Sequence, residues 1–222
     1  MKRRPSPNFD DRPASVPVDM LVLHYTGMQS AEAALERLCD ASAKVSAHYV
    51  IEQNGELTGL VGEDKRAWHA GVSYWRGYTD INARSIGIEL VNPGHEFGYE
   101  SFSEKQITAL TELAHDILSR HPIEPRNVVG HSDVAPQRKT DPGELFPWKR
   151  LAENGIGVWP ETVSPDNQKG DIAELLAGYG YETEDMPASI TAFQRHFRQD
   201  RIDGEADNET KSLLQSLLDR MT

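Results

Sequence analysis

VDMLVLHY, residues 18–25, is an apolar run that only Asp19 interrupts. Its short length and its density of Met, Leu and Val predict a β-strand that is buried on both faces. The next segment, Ala31–Cys39, has apolar residues at the three- and four-residue spacing of a helix. A buried strand followed at once by a helix favours a sheet that helices cover.

Four further strands are predicted along the chain. Two of them, Ala47–Ile51 and Leu57–Val61, are joined by a hairpin turn in which Asn54-Gly55 supplies positive φ. The other two are Ser85–Val91 and Val128–His131. All four are short, as expected for a compact sheet.

A long helix separates the last two strands. Ser103 and Gln106 stand at the spacing of a capping box, and the helix ends before Pro122. Strands that alternate with helices in this way predict an α/β fold. We expect a mixed central β-sheet flanked by helices.

The composition changes near residue 154. Residues 154–168 are rich in Gly and Pro, which is typical of a linker. Helical patterns over residues 169–179, 187–200 and 208–221 then predict a small three-helix domain. The predicted division is a disordered lead-in over residues 1–17, a catalytic α/β domain over 18–153, a linker over 154–168 and a helical domain over 169–222.

The charge balance is acidic, with 23 Lys and Arg against 35 Asp and Glu and a formal net charge of −12 over 222 residues. This argues against binding to nucleic acid, which needs clustered Lys and Arg, and against an anionic membrane surface. No segment approaches the roughly 20 apolar residues of a membrane span. The basic N-terminal residues lack the apolar stretch of a secretion signal. We therefore expect a cytoplasmic protein, with a periplasmic location less favoured.

The single cysteine, Cys39, excludes an intramolecular disulfide and a Cys-rich zinc site. A metal would therefore need His and carboxylate ligands. His24 and His131 each end a predicted strand, and Asp141 follows in a polar loop. Two imidazoles and a carboxylate make a three-ligand set for catalytic zinc, with water as the fourth ligand. The alternative is that each histidine is an ordinary hydrogen-bonding residue.

Two further charged residues stand at notable positions. Alternation along Ser85–Val91 places Glu89 with Gly87 on the face opposite the large apolar side chains. Glu89 is either a general base whose proton affinity burial raises or a carboxylate on a solvated strand face. Lys139, two residues before Asp141, is either a surface lysine or a stabiliser of an oxyanion beside zinc.

Five motifs together resemble the zinc-dependent N-acetylmuramoyl-L-alanine amidases of the amidase-2 type. They are LHYT (23–26), AWHAG (67–71), SIGIE (85–89), GHSDVAP (130–136) and KTDPG (139–143), in the family's order. The resemblance implies zinc held by His24, His131 and Asp141, with Glu89 as base and Lys139 as oxyanion stabiliser. It also implies hydrolysis of the amide between the lactyl group of N-acetylmuramic acid and L-alanine, in peptidoglycan fragments.

Predictions of substrate contacts follow from the same resemblance. Trp68, His69 and Asn82 fall where the family's substrate pocket would be. Arg84 is either a partner for a carboxylate of the stem peptide or a solvated charge. The aromatic residues of Trp68-His69 and Tyr74-Trp75 either pack in the core or form a wall that stacks on sugar.

The biological role has three candidates. The family includes cytoplasmic enzymes that recycle muropeptides and envelope-facing enzymes that act in wall turnover, and we favour recycling. The fold also serves non-catalytic peptidoglycan recognition, which typically lacks a zinc ligand, whereas all three positions are filled here. A zinc peptidase is less favoured because the sequence has no His-Glu-x-x-His helix.

The C-terminal region is similar to a three-helix peptidoglycan-binding module, chiefly through AFQR (192–195) and IDG (202–204). Residues 160–222 contain 13 acidic and 6 basic residues, a net charge of −7. This charge is poorly suited to an anionic wall polymer. We therefore favour packing on the catalytic domain or substrate positioning over wall anchoring.

Overall fold

The computed structural model describes residues 1–161 and 170–221. None of the helices in these two ranges is long and apolar enough to cross a lipid bilayer. The strands are β1 (Lys2–Arg3), β2 (Phe9–Asp11), β3 (Met20–Tyr25), β4 (Tyr49–Ile51), β5 (Leu57–Gly59), β6 (Lys65–Ala67), β7 (Ser85–Leu90) and β8 (Val128–Gly130). The helices are α1 (Ala31–Cys39), α2 (Ile81–Arg84), α3 (Gly94–Phe97), α4 (Glu104–Arg120), α5 (His131–Val134), α6 (Trp148–Glu153), α7 (Ile172–Tyr179), α8 (Met186–Phe197) and α9 (Asn208–Asp219), with a 3-10 helix at Pro125–Asn127.

Six strands form the central sheet in the order β1-β5-β4-β7-β3-β8. β3 is parallel to both of its neighbours, β7 and β8, and β4 is parallel to β7. β4 and β5 form the predicted antiparallel hairpin. β2 and β6 form a separate two-stranded antiparallel sheet. The predicted α/β fold with a mixed central sheet flanked by helices is confirmed.

The apolar run in β3 is buried on both faces, as predicted. Leu21 and Leu23 pack in a cluster on the side that α4 covers. Met20 and Val22 belong to a second cluster on the opposite side. Because side chains alternate along a strand, His24 falls on the same side as Met20 and Val22.

β7 repeats this pattern and brings a carboxylate next to that histidine. Ile86, Ile88 and Leu90 pack in the cluster on the α4 side. Glu89 therefore points to the other side, and the strand register pairs it with His24. Alternation and register alone thus place these two side chains together.

α4 begins as the sequence predicts. The Ser103 hydroxyl accepts from the Gln106 N–H, and the Gln106 side chain accepts from the Ser103 N–H, both at 3.1 Å. This is a complete capping box. The Gln106 amide also donates to the Val91 carbonyl at 2.8 Å, which joins the start of the helix to the end of β7.

The expectation that residues 1–17 are disordered is wrong for β1, β2 and Arg12. β1 pairs with β5, and β2 pairs with β6. The Arg12 guanidinium donates to the carbonyl oxygens of Ala83 and Ser85 at 2.8 and 2.7 Å. These strands are only two and three residues long, so an apolar pattern could not reveal them.

The three predicted C-terminal helices are present as α7, α8 and α9. They bury Leu176, Phe193 and Leu214 in the cluster that also holds Val22 and Val129 of the sheet. The helical region therefore shares an apolar core with the second face of the sheet. Of the predicted linker over residues 154–168, residues 162–168 lie outside the described part of the chain.

Candidate active site

Three strand ends meet at one edge of the sheet. β3, β7 and β8 run parallel, so their carboxyl ends lie together. His24 lies near the end of β3, Glu89 near the end of β7, and His131 directly follows β8. Asp141 is held at the same edge, because the Ser132 N–H donates to the Asp141 carbonyl at 2.9 Å.

Two imidazoles and one carboxylate converge at this edge. His24 Nδ1 lies 3.0 Å from His131 Nδ1 and 3.0 Å from Asp141 Oδ2. His131 Nδ1 lies 3.1 Å from Asp141 Oδ2. All three side chains are buried. The structure therefore brings the three predicted metal ligands into one cluster that could hold a metal ion.

A chain of hydrogen bonds fixes which nitrogen of His24 carries the proton. The Ile81 carbonyl can only accept, so the Ser85 hydroxyl donates to it at 2.7 Å. Ser85 Oγ then accepts from His69 Nε2 at 3.2 Å. This leaves His69 Nδ1 as the acceptor for His24 Nε2 at 3.0 Å. His24 Nδ1 therefore presents a lone pair to the cluster.

Packing holds His69 in this position. A Cβ atom at position 87 would lie 2.5 Å from the His69 ring, so Gly87 allows the ring to lie against β7. The Asn82 side-chain oxygen accepts from the backbone N–H groups of His69 and Ala70 at 3.1 and 2.8 Å. Asn82 therefore shapes the loop, and His69 orients the His24 ring.

His131 is oriented from its far side in the same way. Its Nε2 lies 3.0 Å from the Ala70 carbonyl, which can only accept, so Nε2 carries the proton and Nδ1 presents a lone pair. Burial, with the neighbouring His131, lowers the pKa of His24 to about 4, so that ring is neutral at pH 7. The inward-facing nitrogens of His24 and His131 and the Asp141 carboxylate oxygen therefore face one another. A divalent cation satisfies all three, and this donor set fits one.

Glu89 lies beside this cluster and is 8% exposed, which contradicts a solvated strand face. Its buried Oε2 has no hydrogen-bond partner within the described residues. Burial, followed by the negative charge of Asp141, raises the pKa of Glu89 well above its ordinary value, against a smaller opposing effect of Lys139. A carboxylate in this state keeps its proton to a higher pH than an exposed glutamate does.

A cavity of about 360 Å³ opens onto the cluster. Glu89, Lys139 and Asp141 line it together with His69 and His131. Lys139 is therefore positioned at the same opening as the ligand cluster. The cavity exposes a carboxylate, an ammonium group and two of the candidate metal ligands, His131 and Asp141, to one bound molecule.

Three predicted substrate contacts, Trp68, Asn82 and Arg84, lie outside this cavity lining. Arg84 is 8% exposed, its guanidinium donates twice to the Asp19 carboxylate, and it lies 3.4 Å from the centre of the Tyr78 ring. It is therefore not a solvated charge. Trp68 is half-buried and does not line the cavity. Trp75 is 1% exposed and packs edge-on against two tyrosines of the helical region, so it belongs to the core.

Sequence reasoning missed several residues that line the cavity. Arg37, Tyr25, Arg138 and Thr140 all contribute to its wall. Arg138 and Thr140 flank Lys139 in the sequence, which was the available signal. Arg37 gave none, because it reaches the cavity only through the packing of α1, whose Leu35 and Leu38 share a cluster with Val50 of β4.

His48 is buried away from the ligand cluster, and we expect it to make stability depend on pH. Burial, with the nearby Arg12 charge, lowers the pKa of His48 from 6.5 to about 3. Below pH 6.5 the unfolded chain therefore binds a proton at this residue and the folded chain does not. The contribution of His48 to stability is complete above pH 6.5 and is lost as pH falls. At pH 4.5 the loss is roughly 2.7 kcal/mol, two pH units at about 1.36 kcal/mol each.

The variant His48→Asn isolates this contribution. Asn keeps an acceptor for the Gly87 N–H, which donates to His48 Nδ1 at 3.0 Å. Urea unfolding at pH 7 and pH 4.5 should show a smaller loss of the free energy of unfolding in the variant than in the parent. Equal losses would contradict the prediction.

The parallel sheet edge therefore carries three converging side chains that could hold a metal ion, beside a buried carboxylate. A family model described as N-acetylmuramoyl-L-alanine amidase matches residues 14–144. The chain is 42% identical over 232 residues to N-acetylmuramoyl-L-alanine amidase AmiD of Escherichia coli K12, covering 91% of this chain and 83% of that protein. The chain belongs to the N-acetylmuramoyl-L-alanine amidase family and is an amidase of the AmpD and AmiD type.

Two solved structures match nearly the whole fold. AmiD from E. coli, in complex with the substrate anhydro-N-acetylmuramic acid-L-Ala-D-gamma-Glu-L-Lys, has a TM-score of 0.82 at 38% identity, covering 96% of this chain and 98% of that chain. AmpDh3 from Pseudomonas aeruginosa, in complex with anhydromuramic pentapeptide, has a TM-score of 0.84 at 36% identity, covering 94% and 95%. The likeness includes the C-terminal helices, since the matches extend over both regions.

Proposed function

We propose that this chain is a zinc-dependent hydrolase that cleaves the amide between the lactyl group of N-acetylmuramic acid and L-alanine in peptidoglycan fragments. The observation that carries the proposal is the set of three converging acceptor atoms on His24, His131 and Asp141. Two imidazole nitrogens and one carboxylate oxygen suit zinc. The anhydromuramyl peptides in the two solved relatives support the substrate class.

The roles of the side chains follow from their positions. Zinc held by the three ligands would lower the pKa of a water molecule and polarise the carbonyl of the substrate. Glu89 takes the proton of the attacking water on Oε2, which has no hydrogen-bond partner among the described residues, and passes it to the departing alanine nitrogen. Lys139 stabilises the negative charge that develops on the carbonyl oxygen.

Lys139→Ala is expected to lower kcat by about 10²–10³-fold with unchanged zinc content, because one stabiliser of the developing charge is lost. Since Lys139 lowers the pKa of Glu89, the acid limb of the pH profile should also move to higher pH. Steady-state kinetics on a muropeptide between pH 5 and 9 measure both effects.

The controls for this prediction are two lysine substitutions. Lys139→Arg keeps the positive charge and should retain more activity than Lys139→Ala. Lys149→Ala removes an exposed lysine of α6 and should leave kcat unchanged. If Lys139→Ala keeps the parental kcat, Lys139 is a surface lysine with no role in turnover.

Metal analysis together with mass spectrometry of the products tests the proposal as a whole. We expect about one zinc per chain, as in a three-ligand catalytic site. The products should be the free muramyl sugar and a peptide that begins with L-alanine. Zinc binding without cleavage would favour a non-catalytic recognition protein, and cleavage at another bond would contradict the substrate assignment.

Wall recycling is the role that the proposal favours over envelope-facing turnover. The complexes of the relatives hold single muropeptide fragments, which supports a preference for fragments over intact wall polymer. Rates on an anhydromuropeptide and on intact sacculi compare the two. The cytoplasmic location stays a prediction, and fractionation of native cells tests it.

A further inference from the structure

A buried carboxylate that the mechanism does not use lies directly behind His131. Asp133 is two residues away in α5 and is 1% exposed. Its Oδ2 accepts from the Gly130 N–H at 2.7 Å. Asp133 is therefore bonded to the residue that immediately precedes a candidate metal ligand.

The same segment is packed against the loop that carries Asp141. The Ser132 N–H donates to the Asp141 carbonyl at 2.9 Å. A Cβ atom at Gly130 would lie 2.7 Å from Pro142 Cδ, so the two backbones approach closely there. The position of the segment at 130–133 therefore affects both His131 and Asp141.

Two further donors to Asp133 come from the C-terminal helical region. The Tyr181 hydroxyl donates to Oδ1 at 2.6 Å, and His196 Nδ1 donates to Oδ2 at 2.7 Å. The His196 ring is stacked between Trp148 and Phe197, at centroid distances of 3.7 and 3.8 Å. Both donors are buried, so solvent has little access to replace them.

We propose that the C-terminal helical region positions the metal ligand His131 by holding Asp133 with these two hydrogen bonds. The inference rests on the proposed zinc site. Without Tyr181 and His196, the buried carboxylate would keep the Gly130 N–H as its donor, and a poorly satisfied buried carboxylate is costly. The segment would shift to relieve it, and His131 would move with the segment. Asp133, Tyr181 and His196 are therefore positioning residues.

A matched pair of tyrosine substitutions tests this inference in the full chain. Tyr179 and Tyr181 are both buried in the same cluster, and Tyr181 donates to Asp133. Tyr181→Phe is expected to weaken zinc binding about 10-fold, at the lower end of the effect of partners that orient metal ligands. Tyr179→Phe should leave zinc affinity unchanged. Competition with a chromophoric chelator measures both dissociation constants.

Two substitutions of His196 test the second donor. His196→Asn keeps an N–H donor near the position of Nδ1, whereas His196→Leu removes it. Zinc binding should be weaker in His196→Leu than in His196→Asn. The visible absorption spectrum of the cobalt-loaded protein, which reports ligand geometry, should change in Tyr181→Phe and His196→Leu and stay parental in Tyr179→Phe.

A purely structural role predicts a different result. Tyr181→Phe and His196→Leu would then unfold at lower temperature but keep the parental zinc affinity and cobalt spectrum, which overturns the inference. A parent chain that binds no zinc overturns the proposed function as well. Parental zinc binding with unaffected variants overturns the inference alone, so the two failures are distinguishable.

Discussion

Glu89→Gln is expected to lower kcat on a muropeptide by about 10²–10⁴-fold while zinc content stays at the parental level, because the general base is lost. The Gln amide matches the size of the carboxylate but cannot take a proton from the attacking water. Glu89 Oε2 has no hydrogen-bond partner in the described part of the chain, so the change breaks no hydrogen bond at that atom. The variant should therefore lose turnover while it keeps its zinc.

The pH profile gives an independent measure of the same role. A base must be ionised to act, and burial raises the pKa of Glu89 well above 4.5. Parental kcat/KM should therefore fall as pH drops through that raised pKa, and the residual activity of Glu89→Gln should lack this limb. Glu153→Gln, at an exposed residue of α6, is the control. Parental turnover in Glu89→Gln would exclude Glu89 as the base.

Asp141→Asn should abolish both stable zinc binding and turnover. The side chain keeps its size, but the negative charge that faces the His24 and His131 rings is removed. A metal ion contributes several kcal/mol of charge stabilisation in the transition state. Losing about 4 kcal/mol of it would lower kcat/KM by roughly 10³-fold, at about 1.36 kcal/mol per factor of ten.

Metal content after dialysis and kcat/KM on the same preparation measure the effect of Asp141→Asn. Asp116→Asn, at an exposed residue of α4, is the matched control and should keep both at the parental level. Full turnover by an Asp141→Asn protein that has lost its zinc would show that hydrolysis does not depend on the three-ligand cluster.

The candidate ligand cluster could be predicted because it depends on short-range patterns. Strand alternation placed Glu89 on the face opposite Ile86 and Ile88, and the parallel register then paired it with His24. His131 follows the end of a neighbouring parallel strand. Residues at the carboxyl ends of adjacent parallel strands must lie close together, so the sequence pattern carried the geometry.

The surroundings of the cluster could not be predicted, because they depend on pairings between distant residues. Arg84 pairs with Asp19, 65 positions away, which removes it from the set of free charges. His69 contacts His24 across 45 positions, and its orienting role needs Ser85 as well. No local sequence pattern predicts such contacts.

The N-terminal segment shows the same limit at the level of whole elements. β1 and β2 contain five residues in all, four of them charged, so neither has an apolar repeat. Their pairing with β5 and β6 decides that they are strands. The Arg12 hydrogen bonds to four carbonyl groups then fix the chain between these strands and β3.

Under the proposed function, the direction of the hydrogen bonds behind the two histidines affects how a bound ion would stabilise the protein. The N–H of each ring donates away from the cluster. His131 donates to the Ala70 carbonyl, and His24 donates to His69, which donates through Ser85 toward the Ile81 carbonyl. The inward nitrogen of each ring is therefore free to offer its lone pair to one cation. An ion that binds only the folded chain adds its binding free energy to stability. Under the proposed function, zinc supply in the cell would then govern the lifetime of the protein as well as its catalysis.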